Sequence, residues 1–118
     1  MLFRSIVAVQ LGTTGQFAAE ELPGLRRVEP YQFVDQAITA VINRSADAAV
    51  IDELVAIEYM REHPHAIQVV GEPFTAENYG IAVRPSDTAL LERINRALAE
   101  LRADGTYDQL YDKWFSVE

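Results

Sequence analysis

The sequence predicts an α/β fold in which a mostly parallel sheet is layered with helices and two amphipathic helices end the chain. Three observations carry that expectation. Short β-branched runs alternate with helical patterns from residue 6 to residue 70, an order that implies right-handed crossovers between parallel strands. After Arg84-Pro85 the pattern changes to two apolar stripes at helical spacing. The length of 118 residues, 49% hydrophobic and 24% charged, suits one globular domain.

Each element has its own justification. Ile6-Val7-Ala8-Val9-Gln10-Leu11 is a β-branched run that ends in Gly12-Thr13-Thr14-Gly15, which reads as a buried strand entering a tight turn. The next helix, Gln16 to Leu22, stops at Pro23-Gly24. Leu25 to Glu29 is a marginal second strand, and Pro30 marks the break before a helix with Phe33, Val34, Ala37, Ile38 and Val41 on one face. Asn43-Arg44-Ser45 ends that helix, and residues 46–51 form a third strand. Asp52-Glu53 opens a further helix, where the dipole favours acids, and Pro64 forbids its continuation past about Glu62. Ile67–Val70 and Tyr79–Val83 read as two more strands. Ser86 is then the expected N-cap of a helix carrying Leu90, Leu91, Ile94, Ala97, Leu98 and Leu101, with Gly105 as its stop. Thr106-x-x-Gln109 has the form of a capping box, and Tyr107, Leu110, Tyr111, Trp114 and Phe115 form the last stripe. The apolar faces of these two helices require a large partner surface.

Composition narrows the function. Ten Lys and Arg against eighteen Asp and Glu give a net charge of −8, which disfavours a nucleic-acid partner because such a surface must be basic to displace counterions. Either side of Gly71 carries nine acids and five bases, so there is no charged tail or arm. With no cysteine, disulfides, Cys-ligated zinc and thiol catalysis are ruled out. No apolar run reaches the length of a membrane span, and the first residues lack a signal-peptide pattern.

In open parallel sheets ligands bind beyond the carboxyl ends of the strands, and two segments meet that condition. Gly12-Thr13-Thr14-Gly15 follows the first strand, with free backbone N–H groups and two hydroxyls suited to a carboxylate or phosphate. Asp52 follows the third strand, at the same edge. An anion-accepting loop beside an anion is the complement of a zwitterion, of which an α-amino acid is the simplest. Each piece also has a plainer reading, the loop as an ordinary connection and Asp52 as a helix cap.

Other candidates are weaker. Eleven residues of helix carry His63 roughly 16 Å from Asp52, so His63 and His65 are read as surface-loop residues, with no metal site expected. Trp114, Tyr107 and Tyr111 are read as a packing face. The four serines stand in no nucleophile elbow.

Five blocks, taken in order, resemble a known family: Val7-Ala8-Val9-Gln10-Leu11-Gly12-Thr13-Thr14, Ala46-Asp47-Ala48-Ala49-Val50-Ile51-Asp52, Asn78-Tyr79-Gly80-Ile81-Ala82-Val83-Arg84, Leu101-Arg102-Ala103-Asp104-Gly105-Thr106-Tyr107 and Lys113-Trp114-Phe115. The chain is similar to the extracytoplasmic solute-binding proteins of polar amino-acid ABC transporters, but only to the second half of one. The resemblance implies a type 2 periplasmic-binding fold, with helices on both faces of the sheet and the ligand trapped between two lobes. Residues 6–79 would be the second lobe. Residues 80–118 would be a return strand and C-terminal helices that normally pack on the first lobe, whose main part is missing here.

On that resemblance Thr13 and Thr14, after Gly12, hold the ligand carboxylate through backbone N–H and hydroxyl groups, and Asp52 takes the α-ammonium. Gln10 and Ile51 fall where the ligand side chain is read, without the Lys or His sometimes found there, and Asn78-Tyr79 resembles the second hinge crossover. Residues 1–5 match nothing in the family and are read as a non-family N-terminal scar, with a short natural start as the alternative. The implied function is binding of a polar amino acid for import through ABC permease subunits, in the periplasm or outside the cell. No catalysis, cofactor, metal, nucleic acid or direct membrane insertion is implied. The alternatives are a dehydratase-like enzyme of the same fold, with Asp52 moving a proton, and a sensory ligand-binding module.

Overall fold

A strand flanked on both sides organises the first part of the chain. In the computed structural model, which describes residues 4–73 and 75–116, the elements are β1 (Ile6–Gln10), α1 (Thr14–Glu20), β2 (Arg27–Tyr31), α2 (Val34–Ile42), β3 (Ala48–Val50), α3 (Glu53–Glu62), α4 (Thr88–Ala103) and α5 (Thr106–Phe115). The sheet order is β2-β1-β3, and both pairings are parallel. The described residues fall into two compact units, one up to Thr75 and one from Ala76 onward.

β1 is central because its side chains suit burial on both faces. Side chains alternate along a strand, so Val7 and Val9 pack with Ala19 of α1 on one face. Ala8 packs with Ala37 and Ala40 of α2 and with Ala46 on the other. Val7 and Val9 are fully buried, worth about 1.5–3 kcal/mol each. The start of the sheet is clipped by Asp47, whose Oδ2 accepts the Ile6 N–H at 2.8 Å and whose own N–H donates to the Ile6 carbonyl at 2.9 Å. Of the N-terminal segment 1–5, residues 1–3 lie outside the described residues. Arg4 donates its N–H to Gly24, and Ser5 accepts from Arg26.

Several boundaries differ from the sequence expectation. Pro30 lies inside β2, opposite Val9, because β2 is an edge of the described sheet and a strand edge tolerates the missing N–H. Asp87, not Ser86, caps α4, accepting the Leu90 N–H at 3.2 Å. There is no Thr106 capping box. Gly105, at φ 81°, is the N-cap of α5, and the Thr106 N–H donates to Asp104 Oδ1 at 2.8 Å. Residues 67–70 and 79–83, the latter expected as a return strand, are not strands. Their apolar character matched a strand, but an extended segment joins a sheet only where a neighbour supplies ladder bonds, and none does so among the described residues.

In the second unit α4 and α5 form a helical hairpin. Arg102 lies over the Tyr107 ring at 5.1 Å, and Tyr111 meets Phe115 edge to face at 5.0 Å. Leu90, Leu91, Leu110 and Trp114 remain exposed. No helix among the described residues is long and apolar enough to cross a membrane.

Candidate functional site

The loop leaving β1 is shaped by two glycines with different tasks. Gly12 has φ +75° and nothing within 4 Å of a Cβ placed on it, so it supplies the left-handed backbone of the turn. Gly15 has open dihedrals but no room: a Cβ there would lie 2.9 Å from the carbonyl oxygen of Val50. Glycine lets the first turn of α1 rest directly against the end of β3. Thr13 is the N-cap; its hydroxyl donates to the Gln10 carbonyl at 2.7 Å and accepts the Gln16 N–H at 3.3 Å.

Gln10, Thr13, Ile51 and Asp52 line one small cleft together with Gly15, Val34 and Val55. The carboxyl ends of β1 and β3 and the starts of α1, α2 and α3 meet there, which is why residues far apart in sequence converge. Asp52 is the N-cap residue of α3, its carbonyl accepting the Ala56 N–H at 2.9 Å, but its side chain makes no capping hydrogen bond. Among the described residues its carboxylate has no hydrogen-bond or ion-pair partner, and Asp52 is exposed. The Thr13 hydroxyl has already given its proton to Gln10. The donors left in the loop are the backbone N–H groups of Thr13, Thr14 and Gly15 and the Thr14 hydroxyl, with no acceptor among the described residues.

Gly12 and Thr14 do not line the cleft. The Gly12 N–H is occupied, donating to Gln16 Oε1 at 2.8 Å, while Gln16 Nε2 donates to Glu20 at 2.8 Å. Asn78 and Tyr79 belong to the second unit and are exposed. Sequence reasoning did not assign Gln16, Val34 or Val55 to this site. Gln16 carried a legible signal, an amide four residues after a turn glycine; the valines did not, because an apolar residue on a helix reads as core. His63 closes the far end of α3, and among the described residues no group of three His, Cys, Asp or Glu is placed to hold a metal.

The cleft holds about 50 Å³, well below the roughly 300–1,000 Å³ of small-molecule pockets. The cleft is too small to enclose such a molecule by itself, and it has amide donors on the β1 side and a carboxylate on the β3 side. Among the described residues Asp52 is the only acidic or basic side chain lining it.

Comparison with known proteins agrees with this architecture. Residues 14–117 match the family described as bacterial extracellular solute-binding proteins, family 3. The chain is 34% identical over 113 residues to the ABC transporter glutamine-binding protein GlnH of Bacillus subtilis, covering 96% of this chain and 41% of that protein. It is 34% identical over 114 residues to the ABC transporter arginine-binding protein 1 of Escherichia coli, covering 92% of this chain and 46% of that protein. It therefore spans less than half the length of these relatives. A solved ancestral arginine-binding protein bound to arginine superposes with a TM-score of 0.77 at 39% identity, covering 98% of this chain and 52% of that one. The α/β fold with its parallel sheet is that of the type 2 periplasmic-binding proteins. On the match to residues 14–117 and the shared fold, the chain belongs to the bacterial extracellular solute-binding proteins of family 3.

Proposed function

We propose that this chain supplies one ligand-binding lobe, residues 6–79, of a protein that captures a polar amino acid between two lobes and delivers it to ABC permease subunits from the periplasmic or extracellular side. Residues 80–118 then pack on the first lobe, with Asn78 and Tyr79 at the hinge. The observation that carries the proposal is the uncommitted carboxylate of Asp52 in the same cleft wall as Gln10, Thr13 and Ile51. In this reading Asp52 takes the α-ammonium. The ligand carboxylate is held by the Thr13 and Thr14 N–H groups and the Thr14 hydroxyl, with the turn set by Gly12. Gln10 and Ile51 border the ligand side chain. Relatives named for glutamine and for arginine are equally identical to the chain, so overall similarity leaves the side chain open within the polar amino acids.

Binding is favoured over acid–base catalysis because among the described residues Asp52 has no second acid or base beside it in the cleft wall, and proton shuttling needs groups within hydrogen-bond reach of the reacting atoms. The test is calorimetry on a two-lobed protein containing this chain, titrated with arginine, glutamine and histidine. Removing the charge in Asp52→Asn leaves a desolvated ammonium without its anion, expected to cost on the order of 2–5 kcal/mol of binding. Unchanged affinity would remove Asp52 from the site.

A further inference from the structure

Several of the hydrogen bonds that hold the loop leaving β1 run through one residue. Gln16 Oε1 accepts the Gly12 N–H at 2.8 Å, and Gln16 Nε2 donates to Glu20 Oε1 at 2.8 Å. The Gln16 backbone N–H donates to the Thr13 hydroxyl oxygen at 3.3 Å. These partners decide which way the side-chain amide faces. A backbone N–H can only donate and an ionised carboxylate can only accept, so Gly12 demands the amide oxygen and Glu20 the amide nitrogen. One orientation satisfies both, and Glu20 enforces it from the next turn of α1.

The bond to Gly12 matters because packing does not hold that residue. Gly12 lies at φ +75° with nothing within 4 Å of a Cβ placed on it, and glycine leaves the left-handed region more freely than any other residue. Hydrogen bonds hold the turn instead. Before it, the Leu11 N–H donates to the Tyr31 carbonyl at 2.7 Å; after it, the Thr13 hydroxyl donates to the Gln10 carbonyl at 2.7 Å. Gln16 supplies the bond to Gly12 itself, and the directions of the next N–H groups follow from that conformation. Gln16 does not line the cleft. We propose that Gln16 is a positioning residue of the site: on the reading given above, it orders the Gly12 turn in advance, so that the Thr13 and Thr14 N–H groups already face the ligand carboxylate. A loop ordered on folding does not have to be ordered by the ligand.

The experiment is calorimetry on the two-lobed protein containing this chain, with arginine, glutamine and histidine as probes, beside amide exchange in the same protein. Gln16→Met keeps the length and helix propensity of the side chain but loses the amide oxygen. It should weaken binding about threefold to tenfold and deprotect the Gly12 amide, while the Val7–Val9 amides keep their protection. Gln16→Glu keeps an acceptor and gives up only the bond to Glu20, so it should restore both readouts to within about twofold of the parent. A purely structural role in α1 would not follow the acceptor in this way. Glu20→Ala, which frees the amide to turn, should act in the same direction as Gln16→Met but more weakly, and it carries the test if Gln16→Met does not fold. Parent-like binding in Gln16→Met or an equal loss in Gln16→Glu overturns the proposal, as does a Gly12 amide that exchanges freely in the parent. If Asp52→Asn loses affinity in the same series, that result strikes Gln16 alone. A parent that binds none of the three amino acids, or an Asp52→Asn protein that binds as the parent does, strikes the site and the role of Gln16 with it.

Discussion

Replacing Gly15 with alanine separates two ways in which a glycine is required. The added Cβ meets Val50 at its carbonyl oxygen, 2.9 Å away, and its carbonyl carbon, 3.4 Å away. Both are backbone atoms at the end of β3, so no rotamer change relieves the contact. Either α1 or β3 shifts by a few tenths of an ångström. Overpacking of this kind costs about 1–3 kcal/mol, offset by up to about 1 kcal/mol because alanine is the better helix former. A net loss of roughly 1–2 kcal/mol is expected. At Gly12 the space is open and the backbone is the obstacle, since φ is +75°; Gly12→Ala should cost about 1–2 kcal/mol for the left-handed conformation. Asparagine tells the two apart. It tolerates that conformation, so Gly12→Asn should be milder than Gly12→Ala, whereas Gly15→Asn gains nothing over Gly15→Ala. Hydrogen exchange of the Val7–Val9 amides, in the buried strand of the same unit, reads the opening free energy directly. A Gly15→Ala protein as stable as the parent, or an equal response to asparagine at both positions, would refute the steric reasoning.

Thr13→Val removes the cap and the bond to the Gln10 carbonyl together, and exchange at β1 should report a loss of about 0.5–2 kcal/mol that Thr13→Ser largely restores. Arg44 ends α2 with φ 66°, so Arg44→Gly should stabilise the first unit by roughly 0.5–1 kcal/mol in the same measurement. The Asp104 carboxyl is held below its ordinary range by hydrogen bonds from the Thr106 side chain and N–H. A lowered acid pKa adds stability above the unfolded value that is lost as pH falls through the folded one, so NMR should show the start of α5 fraying only below the usual aspartate range, and Asp104→Asn should flatten that dependence.

Much of the fold could be read from residue pattern because β1 and α2 are locally unambiguous: a β-branched run that ends at a glycine, and an apolar stripe that ends at a turn. The errors fall where a neighbour decides the outcome. Pro30 is a break in isolation and a strand residue at an edge. Val69, Val70 and Ile81 look like strand residues but have no ladder partner among the described residues. Ser86 and Asp87 can both cap a helix, and which one does depends on where the helical dihedrals begin. The meeting of Thr13 and Asp52 on one cleft followed from the rule that strand ends in a parallel sheet share an edge, whereas Gln10 and Ile51 were named only through the family resemblance. The availability of each group did not follow, because hydroxyl direction and the occupation of Gly12 by Gln16 arise from three-dimensional neighbours.

The two faces of β1 differ in what they can lose. On the valine face the risk is deletion, because shortening Val7 or Val9 empties space that Ala19 cannot fill. On the other face Ala8, Ala37, Ala40 and Ala46 have almost nothing to delete, and α2 sits at a distance their methyl groups set. Enlargement is the danger there. Natural variation should therefore run in opposite directions across one strand, interchanging Val and Ile at positions 7 and 9 while confining positions 8, 37 and 40 to the smallest side chains. The sheet would tolerate drift in hydrophobic bulk on one side and resist it on the other.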